Sequence, residues 1–264
     1  MAMSPRLLRP RATGFNPRNI TGLALWLDAT DASTYTVATG VSEWRDKSGN
    51  ARNFAQSTGN NQPTISTLNG KTALSFNGTS HRLTTSGTLL TGNGSFTLFQ
   101  AMECSFPGGV GTAGRSFEHR TATGGPDDNT IAIEWRADQG ASWVSGTLRS
   151  RVQSFRSSVA YNADQRFDSV NVSGRGVVTL AGTFNAASAT STAWWKNSAA
   201  PSTLGTSDPG TVLGMAIGCR NNATASLFFG GVIGEVICYV GTISTAQRLA
   251  VQSYLASKWG VTLS

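Results

Sequence analysis

A chain of 264 residues, 39% of them apolar, can bury a sizeable core without metals or disulfides and suits one large all-β domain. Its three cysteines, Cys104, Cys219 and Cys238, are an odd set without CxxC spacing, which excludes a disulfide framework and a zinc site. The net charge is +7, but Arg6, Arg9, Arg11 and Arg18 crowd the start; without them 17 of the 21 basic side chains face 14 acidic ones, which excludes a body that tracks a nucleic-acid backbone.

Residues 1–19 read as an extended basic arm. Pro5, Pro10 and Pro17 hold φ and remove backbone donors, while Leu7, Leu8 and Phe15 offer isolated apolar anchors. The remainder, 20–264, reads as one domain of short strands between turn clusters. Leu74 and Phe76 alternate before the turn Asn77-Gly78. Phe96, Leu98 and Met102 share a face, Ile131, Ile133 and Trp135 alternate, and so do Val178, Leu180 and Phe184. Period-two alternation over many short runs is the pattern of a β-sandwich. Segments 104–130 and 150–175 read as long loops, the usual place for binding.

Trp194 and Trp195 are adjacent on a predicted strand, so their indoles point to opposite faces. One belongs to the core, and the other faces solvent, a partner or a saccharide; Trp143 is a weaker candidate of the same kind. One helix is predicted near the C-terminus. Ser244 with Gln247 forms a capping box, and Gly260 suits the C′ position. Leu249, Leu255 and Trp259 fall on one side of it, with Arg248, Ser253 and Lys258 on the other, so it is expected to plug one end of the sandwich. No apolar run approaches the length of a membrane span, and no secretory leader is evident, which predicts a protein made in a reducing cytoplasm without membrane insertion.

Catalytic chemistry finds little purchase. Glycoside hydrolysis in a sheet calls for two carboxylates about 5 Å apart in the retaining case. The nearest pairs along the chain, Glu134 with Asp138 and Asp164 with Asp168, lie about 13 Å apart on an extended strand. His81 and His119 are the only histidines, too few for a metal set. Gly109-Val110-Gly111-Thr112-Ala113-Gly114 matches a dinucleotide fingerprint in letters, but no strand–helix context surrounds it. Asp28, Asp31 and Asp46 could supply oxygens to calcium, the one cofactor considered, although the ligand string is sparse for the six to eight oxygens calcium takes.

Two motifs bracket the domain: Leu25-Trp26-Leu27-Asp28-Ala29-Thr30-Asp31 with Trp44-Arg45-Asp46-Lys47-Ser48-Gly49-Asn50, and Ile233-Gly234-Glu235-Val236-Ile237-Cys238-Tyr239 with Tyr254-Leu255-Ala256-Ser257-Lys258-Trp259-Gly260. This bracket resembles the concanavalin A-like, laminin G-like jelly rolls of bacterial surface and bacteriophage virion proteins. The resemblance implies a jelly-roll sandwich of two antiparallel sheets, with Trp26, Trp44 and Trp259 in the core. Residues 4–15 resemble the leader of structural proteins from tailed bacteriophages, which implies a docking tag.

The resulting expectation is a non-enzymatic virion component, a homo-oligomer displayed as a tail fibre, baseplate adhesin or head decoration. Arg6, Leu7, Leu8, Arg9, Arg11, Phe15 and Arg18 would hold it to other virion proteins. The alternative is a lectin that reads a host-surface glycan through Trp143, Trp194 or Trp195. A polysaccharide-degrading enzyme is the third reading, and it requires converging carboxylates that the strand spacings do not supply.

Overall fold

The computed structural model of the chain describes residues 14–90, 94–105, 113–121, 130–137, 148–153, 164–166, 174–185, 188–199, 203–205, 212–220 and 225–264. The strands in chain order are β1 (Leu23–Asp28), β2 (Tyr35–Val37), β3 (Val41–Trp44), β4 (Phe54–Ala55), β5 (Thr64–Leu68), β6 (Lys71–Asn77), β7 (Leu83–Thr85), β8 (Gly94–Cys104) and β9 (Ala113–Thr121). They continue with β10 (Thr130–Ala137), β11 (Leu148–Gln153), β12 (Asp164–Arg166), β13 (Gly174–Asn185), β14 (Ser188–Trp195), β15 (Ser198–Ala199), β16 (Thr203–Gly205), β17 (Val212–Ile217) and β18 (Gly230–Val240). One α-helix, α1 (Thr245–Trp259), follows.

The strands form two antiparallel sheets, the expected jelly-roll sandwich. The front sheet runs β15-β14-β13-β8-β18-β6-β5, with β16 on β14, and the back sheet runs β12-β11-β10-β9-β17-β7-β4-β3-β2. β1 and β6 share one edge of the long β18: Asp28 faces Glu235 and Leu23 faces Tyr239, while Ile233 faces Leu74. The long alternating runs become the central strands because both of their faces are covered. Leu25, Leu27, Leu98, Val178, Leu180, Val236 and Cys238 point between the sheets and meet Phe117, Ile131, Ile133, Trp135, Met215 and Ile217 from the back sheet. The opposite face of the front sheet presents Trp26, Phe99, Ala101, Val177, Ile237 and Tyr239 to α1.

The helix begins and ends as its caps dictate. Ser244 and Gln247 make the reciprocal capping box, and Gly260 adopts the left-handed conformation at φ 65°. Its position and its buried face differ from expectation. It lies across β8 and β13 on the front sheet's outer face, not at one end of the sandwich. Its buried residues are Val251, Gln252, Leu255, Ala256 and Trp259, whereas Leu249 is 37% exposed.

A buried carboxylate explains that rotation. Glu235, on β18, accepts hydrogen bonds from Trp26 Nε1 at 2.8 Å, Tyr254 Oη at 2.9 Å and Trp259 Nε1 at 3.0 Å. Lys258 Nζ lies 2.8 Å from Glu235 Oε2 and 2.8 Å from Asp28 Oδ1, so Lys258 turns inward and not to solvent. Burial raises the Glu235 pKa, and the charge of Lys258 offsets part of that rise. Trp259 reaches the carboxylate by lying over Gly234, where an added Cβ would stand 2.6 Å from the indole ring. The two sequence motifs that bracket the domain are therefore one hydrogen-bonded network.

The segments read as long loops are partly strand. Residues 113–121 form β9, a central strand of the back sheet, and 148–153 and 164–166 form β11 and β12. Polar composition misled because β9 carries Arg115, Ser116, Glu118 and His119, all buried. Ala113 and Gly114 of the glycine-rich segment open a strand, not a helix. Among the described residues no helix is long and apolar enough to cross a membrane.

Two outcomes follow from these buried polar groups. Replacing Glu235 with Ala strands two indole N–H groups, removes the acceptor of the Tyr254 hydroxyl and leaves Lys258 with Asp28 as its one carboxylate, and should cost about 3–5 kcal/mol in denaturant unfolding. His119, on β9 between the sheets, has no hydrogen-bond partner for either ring nitrogen among the described residues. Burial, with the Arg52 charge second, lowers its pKa from 6.5 to about 4. The unfolded chain thus binds a proton that the folded chain refuses. The stability this group contributes is complete above pH 6.5 and falls as pH drops toward 4, by about 3 kcal/mol in all. His119→Leu should flatten that acid limb in unfolding curves measured from pH 7 to 4.

Candidate functional site

The outer face of the front sheet changes character where α1 begins. Beneath the helix the outward positions are apolar apart from Glu235 and Thr179, and beyond its N-terminus most become hydroxyls. Ser95 and Thr97 of β8, Ala181 and Thr183 of β13 and Thr192 of β14 form a floor, walled by Gly241, Thr242 and Ile243. The register places these residues side by side: Ala181 faces both Thr97 and Thr192, and Thr183 faces Ser95. Ser95 Oγ and Thr183 Oγ1 are 2.9 Å apart. The cavity holds about 190 Å³.

Trp194 stands beside this groove, outside its lining. It lies two residues from Thr192 on the same face of β14, roughly 7 Å further along the strand. Its indole is half-buried, and the Arg248 guanidinium carbon stands 4.3 Å from the ring centroid. Arg248 Nη1 donates to Gln252 Oε1 at 2.6 Å and to Asn197 Oδ1 at 3.4 Å. Gln252 Nε2 in turn donates to Thr179 Oγ1 at 3.0 Å, and Thr179 is the register partner of Trp194. Burial lowers the Arg248 pKa. An aromatic plate, a fork of N–H donors and a floor of hydroxyls thus share one open face.

Trp195 points the other way. It is 1% exposed, packs edge-on against Trp135 at 5.4 Å, and lies over Gly176, where a Cβ would meet the ring at 2.3 Å. Arg6, Leu7, Leu8, Arg9, Arg11 and Trp143 lie outside the described residues. The described end of the arm sits on the chain's own domain: Phe15 packs against Tyr254 at 5.1 Å, and Arg18 donates to the Lys47 carbonyl and stands 5.9 Å from the Trp26 ring centroid.

The three calcium candidates are held apart by their own partners. Lys47 Nζ lies 3.1 Å from Asp28 Oδ2 and 2.8 Å from Asp31 Oδ2, so an ammonium occupies the space between those carboxylates. The hydrogen bonds of Lys47 and then Ser33 hold Asp31 at about 2. Burial alone would raise Asp28, but Lys258, Thr30 and Lys47 outweigh it and hold its pKa below the ordinary value. Asp46 accepts from the backbone N–H groups of Trp26, Ser48 and Arg52, which shapes the turn. Among the described residues no group of three metal-ligating side chains converges.

One buried charged cluster leaves no motif along the chain. Glu118 of β9 and Glu134 of β10 both lie on the face of the back sheet opposite Phe117, Ile133 and Trp135. Arg115 joins them, with Nη1 2.5 Å from Glu118 Oε1 and Nε 2.8 Å from Glu134 Oε2. All three side chains are fully buried. Carboxylates can therefore converge across neighbouring strands, a geometry that a search along single strands cannot find. The only sequence signal was charge set within otherwise apolar alternation.

No protein-family model matches the sequence, and no curated protein matches it. Solved structures share the fold. Domain 4 of AbnA, a GH43 extracellular arabinanase from Geobacillus stearothermophilus in complex with arabinotriose, matches at 16% identity and TM-score 0.55, over 87% of this chain and 98% of that one. Trypanosoma rangeli sialidase matches at TM-score 0.57 and 12% identity in complex with 2,3-difluoro-KDN, and at 0.54 and 13% in complex with sialic acid. Each covers 92% of this chain and 34% of the sialidase, so the chain spans about a third of that protein.

These likenesses correct the expectation of a non-enzymatic chain. The fold is shared with a domain of an arabinanase and with a sialidase, and the exclusion of enzymatic activity is withdrawn. Its premise, that carboxylates would have to align along one strand, fails at Glu118 and Glu134.

Proposed function

We propose that the chain is a carbohydrate-recognition domain of the lectin-like jelly-roll class, and that its saccharide lies in the groove beside Trp194. The observation that carries this reading is the juxtaposition of a half-buried indole with the Ser/Thr floor of β8, β13 and β14. A sugar ring offers one apolar face of C–H groups and a rim of hydroxyls. An aromatic plate beside hydroxyl and amide groups answers both. The fold shared with an arabinanase domain solved with arabinotriose supports the same reading. The wild-type protein should bind a subset of an immobilised glycan array. Trp194→Ala should weaken that binding about tenfold or more while leaving the thermal transition in place. Binding of no glycan, or unchanged affinity in Trp194→Ala, would sink the reading.

The charge asymmetry of the sequence favours a setting for this domain. The resemblance of residues 4–15 to the leader of tailed-bacteriophage structural proteins, together with Arg6, Arg9 and Arg11 in a stretch free of acidic residues, supports residues 1–13 as a docking tag for a virion. Deleting residues 1–13 leaves the contacts of Phe15 and Arg18 intact. The truncated protein should fold normally and fail to enter particles, as read by immunoblot of purified virions. Undiminished incorporation would overturn the docking role.

A further inference from the structure

We infer that the saccharide taken by this groove bears a carboxylate, and that Arg248 selects for it; the inference rests on the glycan reading above. Lys258 receives carboxylates from Asp28 and Glu235, Lys47 from Asp28 and Asp31, and Arg115 from Glu118 and Glu134, while the half-buried Arg52 and Arg175 donate to backbone carbonyls. Arg248 is half-buried and receives none among the described residues. Its partners are neutral, namely the amide oxygens of Gln252 and Asn197 and the face of Trp194.

All of those hydrogen bonds fall on Nη1. The Nε and Nη2 donors, which form the fork that meets a carboxylate with two parallel bonds, take no protein partner among the described residues. Neither atom is among the buried unsatisfied groups, so the fork is reachable from solvent. Gln252 and Asn197 hold the guanidinium through one nitrogen, against the Trp194 ring. The open edge is thereby oriented before any ligand arrives, which lowers the ordering cost of binding. Gln252 is itself buried and anchored on Thr179, so the support is part of the helix–sheet interface.

An oligosaccharide seated against Trp194 and the hydroxyl floor would bring a ring carboxylate to this fork. The class of ligand is a glycan with uronic or nonulosonic acid residues. A neutral glycan would leave the guanidinium desolvated and unpaired, the arrangement that costs most.

The test is an array on which carboxylate-bearing glycans are printed beside the same glycans after carboxyl reduction, followed by titration of the best pair. The acidic member should bind about tenfold or more tightly. Arg248→Gln should bring the two members to the same affinity, by weakening the acidic member and not weakening the reduced one, and Arg248→Lys should restore only part of the difference, since an ammonium lacks the fork. Loss of affinity for the reduced member in Arg248→Gln would assign Arg248 a structural role and overturn the inference. Equal binding of acidic and reduced members by the wild-type protein would overturn the acid selection and leave the glycan reading standing. A preference retained only for sulfated glycans would overturn the carboxylate. Binding of nothing on the array would remove both readings together.

Discussion

The carboxylate of Glu235 lies sealed beneath a helix in a face otherwise built of Trp26, Phe99, Ile237 and Tyr239, and a charge in such a place persists only with a full set of donors. Those donors come from two parts of the chain: β1 gives an indole, and the last two turns of α1 give a phenol, an ammonium and a second indole. Satisfying one group therefore fixes the rotation of α1, its distance from the sheet and the pairing of β1 on β18. The rest of the outer face inherits that choice. With α1 held by its C-terminal half, the stretches of β8, β13 and β14 beyond its N-terminus stay uncovered, and there the floor turns from apolar to hydroxyl. The groove is the part of the sheet that the anchored helix does not reach.

Tryptophan and glycine act as reciprocal pairs in holding this arrangement. Trp259 lies over Gly234 and Trp195 over Gly176, each ring within 3 Å of where a Cβ would sit. Neither glycine needs an unusual backbone at these positions; each is required by the ring above it. Gly234 also marks the irregularity in the β18–β8 pairing between Ile233 and Glu235, which turns Glu235 toward the helix. At Gly176 the same economy of volume lets Trp195 sink into the core, which leaves its neighbour Trp194 on the opposite face beside the groove. Core packing thus determines which of two adjacent indoles is offered outward.

These dependencies explain what could be read from the sequence. The helix ends were legible because caps are local: Ser244, Gln247 and Gly260 declare them within one turn. The opposite placement of Trp194 and Trp195 follows from the period of a strand alone. The buried face of α1 was not legible, because Lys258 turns inward to partners 230 and 23 positions away in the chain, Asp28 and Glu235, and so reverses the apparent polar side. β9 was hidden for a related reason. Arg115 and Glu118 look like a solvated loop until Glu134, on another strand, completes their charge. Polar residues neutralised by distant partners erase the alternation on which strand recognition depends, and the hydroxyl groove required β8, β13 and β14 to be placed in register before it existed.

The same network reaches the beginning of the described chain. Phe15 packs on Tyr254, whose hydroxyl donates to Glu235, and the Pro17 carbonyl accepts from the buried Tyr239 hydroxyl at 3.0 Å. Arg18 closes over Trp26, another donor to Glu235. Charge alone groups residues 1–19 as one arm, whereas contact separates them: from Phe15 onward the chain belongs to the clasp that holds α1. A pull on the arm would arrive at Tyr254 and Tyr239, not at the groove, because Trp194 and Arg248 lie at the opposite end of the helix. The proposed attachment through the arm and the proposed recognition at the groove therefore share no residue, and the helix that separates the two regions is fixed to the sheet at a point closer to the arm.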